Sequence, residues 1–449
     1  MIVCKFGGTS VGDAEAIART AGIVRARLAR TPVVVTSALA GTTNRLVEIT
    51  EQASRGQLMV ALTILEELRT RHFAAIDALG VGDDAELITD TGALFDELAH
   101  LAEALSVLGD ATPRSHDAVA AMGERLSAPI VAAALARIGV PAVFVDARRV
   151  MATTDDFGKA EPRLDEIAVA CRALVLPLVR EGKVPVLGGY IGATADGVTT
   201  TLGRGGSDYS ASLFGAAMEA EAIEIWTDVD GMLTADPRVV PGARLIEHIR
   251  FDEAAELASF GAKVLHPNTI APAVRKGIPV YVFNSRKPEG KGTRITFDAP
   301  RLPVRAIAGK TRTVVVKVRS PRMLAAPGTM RAIFEVFERN RTSVDVVATS
   351  EVSVSVTVDD DQHLEAVVAQ LSMYGDVSVE RGRGIIALVG AGLGESTATM
   401  ARALAALGDL RLHMVSLSAT GINLTLIVDG ANVHEGMRRL HAAFFEEVA

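Results

Sequence analysis

The chain has 449 residues, of which 49% are apolar. A chain of this length is too long for one hydrophobic core, so two or three domains are expected. Its formal net charge of −8 offers no long-range attraction to phosphate backbones or anionic lipid, which argues against nucleic acid or a membrane as a partner. The sequence shows neither a secretory signal nor a stretch apolar enough to predict a membrane span. We therefore expect a soluble, cytoplasmic protein.

Cysteine and histidine usage gives no sign of a metal site. Cys4 and Cys171 are far apart in apolar sequence, which predicts buried thiols and not a disulfide framework. The nine histidines show no metal-ligand spacing. His266 is predicted to pack or to cap a helix, and no residue is assigned to a metal.

Short apolar runs alternate with longer stretches of helical period as far as about residue 300. The runs predict strands at Ile2–Phe6, Pro32–Thr36, Pro141–Val145, Pro185–Leu187, Ala222–Thr227 and Pro279–Phe283. The helical stretches are Ala14–Leu28, Gln57–Leu79, Leu87–Leu108, Ala128–Ile138 and Arg163–Glu181. This alternation predicts an α/β fold with a mostly parallel sheet and helices on both faces, and ligands of such sheets bind at the carboxyl ends of the strands.

A segment rich in proline, glycine and basic residues, 285–305, predicts a domain boundary. Two copies of a strand–helix–strand–strand–helix rhythm follow it, which predicts two ferredoxin-like modules. The first comprises Thr313–Val318, Met330–Arg339, Ser343–Ala348, Val352–Val358 and Leu364–Met373. The second comprises Ile385–Val389, Thr397–Ala406, Leu412–Ser416, Asn423–Val428 and Val433–Phe445.

The first motif with chemical content is KFGGTS, Lys5–Ser10, between a strand and a helix. Gly7 and Gly8 let backbone N–H groups approach phosphate oxygens, and the following helix N-terminus favours negative charge. Lys5 supplies a mobile positive charge for a transferred phosphoryl group. A plain strand-to-helix turn with a surface lysine explains the same residues equally well.

The strongest local motif is TTLGRGGSDYS, residues 200–210, which follows the strand at Pro185–Leu187 and a turn. Three glycines, an arginine, a serine and an aspartate packed this closely favour an anion-binding loop over a solvated linker. Arg204 has the planar fork that binds a carboxylate through two hydrogen bonds.

A third motif, Trp226–Gly231 with Asp236–Arg238, begins at the end of a predicted strand. Its oxygen acceptors and Arg238 suit contacts with a nucleotide and its magnesium. Turn-forming pairs such as Asp-Gly and Asp-Pro explain much of it without any function.

Two rival phosphate motifs are set aside. The sequence contains no G-x-x-x-x-G-K-[ST], which excludes a P-loop. Gly390-Ala391-Gly392 imitates a dinucleotide fingerprint, but Glu395 occupies the third glycine position, so this loop is predicted to be structural.

Taken together, these motifs resemble the aspartate kinases over the whole chain, most closely the monofunctional lysine-sensitive branch. The matching segments in order are Lys5–Ser10, Ser37–Asn44, Gly123-Glu124, Arg148–Pro162, Thr199–Ser210, Trp226–Arg238, Phe260–Pro267 and Thr349–Ser353. The resemblance implies an amino-acid-kinase fold over residues 1–300, a linker and first ACT module over 301–384, and a second ACT module over 385–449. It also implies that a strand near 305–308 completes the second module.

The resemblance further implies roles for single residues in the phosphorylation of L-aspartate by ATP with Mg²⁺. Lys5, Gly7 and Gly8 hold the transferring phosphate. The residues implied to hold aspartate are Thr43, Glu124, Arg204 and Ser207. Those implied to hold the nucleotide, besides the first three, are Thr227, Asp228, Arg238 and Lys263.

The implied charges are chemically consistent. Arg204 meets the α-carboxylate of aspartate and Glu124 its α-ammonium, which leaves the β-carboxylate to attack the γ-phosphate. A carboxylate is already an anionic nucleophile, so the reaction needs alignment and charge neutralisation and no general base. Asp208 is the predicted catalytic partner of Lys5, orienting that lysine or the phosphate loop.

For regulation, the resemblance implies that lysine inhibits the enzyme through the first ACT module. The residues implied to bind the effector are Met323, Gly328, Thr329, Asp345, Ser350 and Glu351. Two positions depart from the family pattern: Leu233 replaces a tyrosine near the adenine, and Thr329 replaces a bulky aromatic. ACT modules commonly pair across subunits, which implies a homodimer or a tetramer.

Two other functions stay open at this stage. Another amino-acid kinase, acting on glutamate, N-acetylglutamate or a nucleotide, would share the phosphate loop, but a free α-ammonium needs a carboxylate such as Glu124 and an acetylated one does not. A catalytically silent amino-acid sensor would use the kinase half as a scaffold. Intact Lys5, Arg204 and Asp208 argue against the sensor.

Overall fold

The structure, a computed structural model, describes residues 1–260, 269–323, 327–359 and 362–446. They form two compact units. The first consists of Met1–Met232 and residues 269–297, and the second of residues 233–260 with the described residues from Asp298 onward. Residues 233–260 therefore group with the C-terminal region, although the sequence placed them in the kinase half.

The strands are β1 (Ile2–Phe6), β2 (Pro32–Thr36), β3 (Ala142–Val145), β4 (Val184–Gly188), β5 (Ile191–Ala193), β6 (Thr199–Thr201), β7 (Ala222–Thr227), β8 (His248–Arg250), β9 (Val280–Asn284), β10 (Thr293–Thr296), β11 (Ala306–Arg319), β12 (Val347–Ser350), β13 (Ser353–Val358), β14 (Asp376–Val389), β15 (Met414–Leu417) and β16 (Asn423–Asp429). The helices are α1 (Ala14–Arg25), α2 (Thr42–Ser54), α3 (Leu58–Ala78), α4 (Ala85–Leu108), α5 (Pro113–Ala120), α6 (Met122–Arg137), α7 (Leu164–Ala170), α8 (Leu176–Arg180), α9 (Gly206–Ala217), α10 (Phe251–Ser259), α11 (Ala271–Lys276), α12 (Thr329–Arg339), α13 (Leu364–Leu371), α14 (Thr397–Leu407) and α15 (Val433–Phe445).

The first unit is built on one sheet in the order β3-β4-β2-β1-β7-β9-β10. All neighbouring strands from β3 to β9 run parallel, and β10 pairs antiparallel with β9. The predicted α/β fold with a mostly parallel sheet is thus confirmed. Valine-rich strands such as β2 are buried along their whole length, as expected where helices cover both faces.

Two apolar clusters stabilise this unit. One packs the strands against α1 and α6, around residues such as Phe6, Ile17 and Leu135. The other lies among the helices α2 to α6, around Leu46, Phe95 and Leu98. Both cysteines are free and buried, as predicted.

One helical stretch, Pro113–Arg137, is long and apolar enough to cross a membrane by length and composition. The sequence patterns did not predict such a segment. The structure places 72% of its apolar window inside the protein, which is the environment of a core helix.

The second unit contains a six-stranded sheet in the order β12-β13-β11-β14-β16-β15. Its central pair, β11 and β14, is long enough to serve two ferredoxin-like modules. Residues Val315–Arg319 pair with the first half of β14, and Ala306–Lys310 pair with the second half, with a shift of register between the two stretches. In the first module, the first half of β14 is therefore the edge strand beside β11. In the second module, the first half of β11 is the edge strand beside β14.

Some predicted elements differ from the observed ones. The predicted helix Arg163–Glu181 is divided into α7 and α8 by a π-helical turn at Cys171–Val175. The strand predicted at Ser343–Ala348 begins later, at Val347. A π-helical turn contains one more residue than an α-helical turn, and a continuous helical pattern of apolar residues does not show where it occurs. The start of a strand is hard to predict where apolar and polar residues do not alternate clearly.

Candidate active site

The candidate site lies where the parallel strands of the first unit end. Phe6 at the end of β1 is level with Thr36 on β2 and with Trp226 on β7. Gly188 at the end of β4 is level with Thr36, and β9 ends beside β7. The loops after these strands therefore emerge at the same edge of the sheet, where ligands of parallel sheets bind.

Lys5 on β1 forms an ion pair with Asp208 on α9. The distance between Lys5 Nζ and Asp208 Oδ1 is 2.6 Å, and their side chains are only 10% and 16% exposed. Asp208 lies in the first turn of α9, where the helix dipole favours a negative charge. The pair holds the lysine ammonium beside the glycine loop that follows β1. A Cβ built on Gly7 of that loop would lie 3.4 Å from Lys5 Nζ.

The turn after β4 joins the start of α9 to Glu124. A Cβ on Gly189 would lie 2.8 Å from Ser207 Cα, so only glycine allows this approach. Its neighbour Gly188 lies against the Cβ of Glu124. Tyr190 follows with φ of 65°, and its N–H donates to Ser210 Oγ at 2.9 Å. A non-glycine residue held in this conformation stores strain of the kind found at functional sites.

Glu124 is a buried carboxyl group at the start of α6, 3% exposed. Its Oε1 accepts from the Ala38 N–H at 3.1 Å. Its Oε2 is buried without a hydrogen-bond partner in the described part of the chain. Burial raises the pKa of Glu124 to about 8, against the lowering effects of its backbone hydrogen bonds and of Lys5. A buried oxygen without a donor is rare in folded proteins and indicates a place for a cationic or hydrogen-donating ligand.

The other residues predicted to bind aspartate lie at the start of α2 and at or just before the start of α9. Thr43 lies in the first turn of α2, half-buried, behind the N-cap Gly41. Ser207 lies in the first turn of α9, whose N-cap Gly205 has φ of 72°. Arg204 is exposed in the loop just before α9, and no carboxylate pairs with it among residues 1–260, 269–323, 327–359 and 362–446. Lys5, Glu124 and Ser207 thus converge on one region, and Arg204 flanks it.

The glycine loop after β1, which is predicted to hold phosphate, is tied to the end of β7. Gly7 N–H donates to the Trp226 carbonyl at 3.0 Å. Thr227 and Asp228 follow directly, with Thr227 half-buried and Asp228 exposed. Ser285, which the sequence patterns did not flag, donates to the Thr227 carbonyl and accepts from Ser10 at 2.8 Å. Its only sequence signal is its position at the carboxyl end of a predicted parallel strand.

Asp117 is a second residue that the sequence did not single out. It is buried on α5 and accepts from the N–H groups of Gly158 and Thr201, both at 2.9 Å, and from the Thr201 hydroxyl at 2.7 Å. These bonds fix β6 and the turn at Gly158, and the glycine loop that carries Arg204 rests on that turn.

Two further residues are predicted to hold the nucleotide. Arg238 belongs to the second unit, is largely exposed, and pairs with Asp236 at 2.6 Å. Lys263 lies outside the described residues.

The predicted effector residues belong to the first ferredoxin-like module. Asp345 lies 3.4 Å from Lys310 Nζ, which also contacts Asp359 at 2.6 Å. Burial and the neighbouring Asp359 raise the pKa of Asp345 to about 6. Met323 ends the short 3-10 turn Pro321–Met323. Gly328 and Thr329 lie at the start of α12, and Ser350 and Glu351 lie at the β12–β13 turn.

Comparisons with known proteins extend over the whole chain. The amino acid kinase family model matches residues 1–284, and an ACT domain model matches residues 316–370. The lysine-sensitive aspartokinase 3 of Escherichia coli is 36% identical over 460 residues, which is 99% of each chain.

Solved structures give the same match. The crystal structure of E. coli aspartokinase III in complex with aspartate and ADP superposes with a TM-score of 0.86 at 36% identity, covering 99% of this chain and 100% of that one. The same enzyme in complex with lysine and aspartate superposes with a TM-score of 0.83 and the same coverage.

Proposed function

Because the chain belongs to the aspartokinase family, we propose that it is an aspartate kinase whose site at the carboxyl edge of the first unit's sheet transfers the γ-phosphate of ATP to the β-carboxylate of L-aspartate. The product is 4-phospho-L-aspartate, a precursor of lysine, threonine and methionine. The observation that carries the assignment to this chain's own residues is the convergence of Lys5, Asp208, Glu124 and Ser207.

The reaction follows from the charges at the site. Arg204 binds the α-carboxylate of aspartate, and Ser207 and Thr43 orient it. One oxygen of the β-carboxylate attacks the γ-phosphorus while the bond to the bridging oxygen breaks, and ADP leaves with the electron pair. Lys5, held by Asp208, neutralises the phosphoryl oxygens, and the N–H groups of Gly7 and Gly8 support them. Because the nucleophile is already ionised, the site accelerates the reaction by aligning the two substrates and neutralising the phosphate charge.

Glu124 favours a free amino acid over an acylated one. Its unpartnered Oε2 suits the ammonium of aspartate, which brings three donors and a positive charge. An N-acetyl amide would bring one donor and no charge, so it could not offset the cost of ionising the buried Glu124 carboxyl. This observation counts against N-acetylglutamate as the substrate.

Magnesium fits this site as a companion of ATP. In the described ranges no group of three or more histidine, cysteine, aspartate or glutamate residues is arranged to hold a metal. Mg²⁺ in kinases is held mainly by nucleotide phosphates with one or two carboxylates, and Asp208 is the carboxylate nearest to Lys5. When bound, the ion supplies charge neutralisation at the phosphates. Thr227, Asp228, Arg238 and Lys263 remain the proposed nucleotide residues.

Formation of an acyl phosphate tests the proposal directly. Purified protein with ATP, Mg²⁺, aspartate and hydroxylamine should accumulate aspartyl hydroxamate, and glutamate or N-acetylglutamate should not replace aspartate. Lys5→Ala should lower kcat by about a hundredfold or more, because the phosphoryl charge loses its partner. Lys183→Ala, a surface lysine paired with Glu181, serves as the matched control and should keep full activity. Near-normal turnover in Lys5→Ala would contradict the assignment of the site.

Regulation and assembly complete the proposal. Lysine binds the first ACT module through Met323, Gly328, Thr329, Asp345, Ser350 and Glu351, and raises the aspartate requirement. The ACT modules join the chains into a homodimer or a tetramer, and the enzyme works in the cytoplasm.

A further inference from the structure

Arg71 on α3 connects the loops that serve the two substrates. Its Nη1 donates to the carbonyl of Ala40 and its Nη2 to the carbonyl of Gly12, both at 2.6 Å. Ala40 belongs to the loop after β2, and Gly12 to the loop after β1. The planar guanidinium therefore links the carbonyl groups of two residues, Gly12 and Ala40, that are 28 positions apart in the chain.

Each of these loops carries one side of the reaction. The loop after β1 contains Gly7 and Gly8, whose N–H groups support the phosphate in the proposed function. The loop after β2 gives its Ala38 N–H to Glu124 at 3.1 Å and leads into α2, which begins with Thr42 and Thr43. Between Glu124 on one side and Arg71 on the other, this loop is fixed at both ends.

The two loops also touch directly. A Cβ on Gly12 would lie 3.1 Å from Ala40 Cβ, and one on Gly8 would lie 3.3 Å from the Ala38 carbonyl oxygen. Contacts between small residues give little direction of their own, since they contain no polar pair. The loops are joined where they start by the Ser37 N–H, which donates to the Phe6 carbonyl at 3.0 Å. Farther along, at Gly12 and Ala40, the charge-assisted hydrogen bonds of Arg71 supply the directional link.

We propose that Arg71 is a positioning residue that sets the distance between the aspartate loop and the phosphate loop, and thereby the alignment of the β-carboxylate with the γ-phosphate. Arg71 is half-buried, and no carboxylate forms an ion pair with it in the portion of the chain that the structure describes, so its charge is directed to these two carbonyls. The inference rests on the proposed function and adds to it a residue that touches neither substrate.

The test compares Arg71→Ala and Arg71→Lys with wild type in the hydroxamate assay. Arg71→Ala should lower kcat by about ten- to a hundredfold, since a shift of about 1 Å in alignment has an effect of this size. The KM values for ATP and aspartate should change far less, because each loop still binds its own substrate. Arg71→Lys keeps the charge but cannot bridge two carbonyls and should be intermediate. Millimolar guanidinium should restore part of the activity of Arg71→Ala.

The matched control is Arg69→Ala on the same helix. Arg69 lies at the surface, 3.9 Å from Asp96, and its loss should leave kcat unchanged. Thermal unfolding of every variant shows what fraction is folded. The inference is overturned if Arg71→Ala keeps wild-type kcat. It is also overturned if the loss of activity in Arg71→Ala equals its unfolded fraction, and neither the Arg71→Lys substitution nor added guanidinium gives higher activity. A wild type without hydroxamate formation would instead contradict the proposed function, and the inference with it.

Discussion

Glu124 shows how a single residue acquires its chemistry from its surroundings. Its sequence context, Gly-Glu near the start of a helix, is matched by many surface carboxylates, and only the resemblance singled it out. The folded chain buries it, gives one oxygen the Ala38 N–H and leaves the other without a donor. These properties depend on contacts across 86 residues, which no local pattern encodes. Lys5 differs, because its loop motif already predicted a phosphate-facing charge.

The raised pKa of Glu124, about 8 without substrate, makes aspartate binding release a proton. Below pH 8 the free protein holds the protonated carboxyl, and the incoming ammonium favours the carboxylate. The affinity for aspartate should therefore increase as the pH rises from 6 to 8. Isothermal titration at pH 7 in buffers of different ionisation enthalpy measures the released proton. Glu124→Gln should abolish the release and weaken aspartate binding by about tenfold or more.

The same carboxyl affects stability in the absence of substrate. Its usual pKa is 4.5 and its pKa in the fold is about 8, so the folded state binds more protons than the unfolded one between these values. The free energy of unfolding should decrease as the pH rises through this window, and Glu124→Gln should flatten that dependence. A wild type whose denaturation midpoint is constant from pH 5 to 8 would contradict the protonated state.

At the scale of elements, the glycine loop owes its position to a helix that the sequence did not connect with it. The motif of residues 200–210 predicted an anion-binding loop, and the structure sets its start on the short strand β6. Asp117 on α5 holds β6 through the backbone and hydroxyl of Thr201, 84 residues away. Periodicity predicts where an element lies but not which buried side chain secures it, which is why Asp117, Ser285 and Arg71 were missed.

Asp117→Asn should loosen this loop. The Oδ2 atom accepts from two N–H groups, so the amide oxygen must take its place and the NH₂ group must face the Thr201 hydroxyl, which has to change from donor to acceptor. All three hydrogen bonds then lose the charged acceptor that strengthens them. We expect a loss of about 1–3 kcal/mol in the free energy of unfolding and a higher KM for aspartate. Urea denaturation and aspartate saturation curves measure the two effects. Asp110→Asn, at an exposed position, is the control; equal behaviour of the two variants would remove this role from Asp117.

At the scale of the molecule, the sequence predicted the parallel sheet and the repeated modules better than the grouping of its segments. The predicted strands of the first unit lie within one residue of β1, β2, β3, β4, β7 and β9. The grouping of residues 233–260 with the C-terminal region was not predicted. It depends on buried pairs such as Glu253 with Arg305, at 3.2 Å, and with the Ala391 N–H, at 2.8 Å. Ala391 lies in the Gly-Ala-Gly loop that the sequence had assigned to structure.

Lysine inhibition is the prediction that belongs to this scale. Asp345 is already paired with Lys310, so an ammonium of free lysine must share or displace that partner. We expect lysine to raise the apparent KM for aspartate by shifting the enzyme to a less active arrangement. Asp345→Asn should remove the response and leave kinetics without lysine unchanged, whereas Asp376→Asn, at an exposed position, should respond normally. Identical aspartate curves with and without excess lysine would end the proposal.

The shared strands β11 and β14 restrict how this regulatory region can be re-engineered. A chimera that exchanges residues 301–384 or 385–449 alone with a relative would divide β14 between two proteins. Its second half would then pair with a β11 from the other protein, next to the shift of register that separates the two pairings. The exchangeable cassette is the entire stretch from Asp298 onward, and because Arg305 and Ala391 contact Glu253, its donor must also supply a compatible α10.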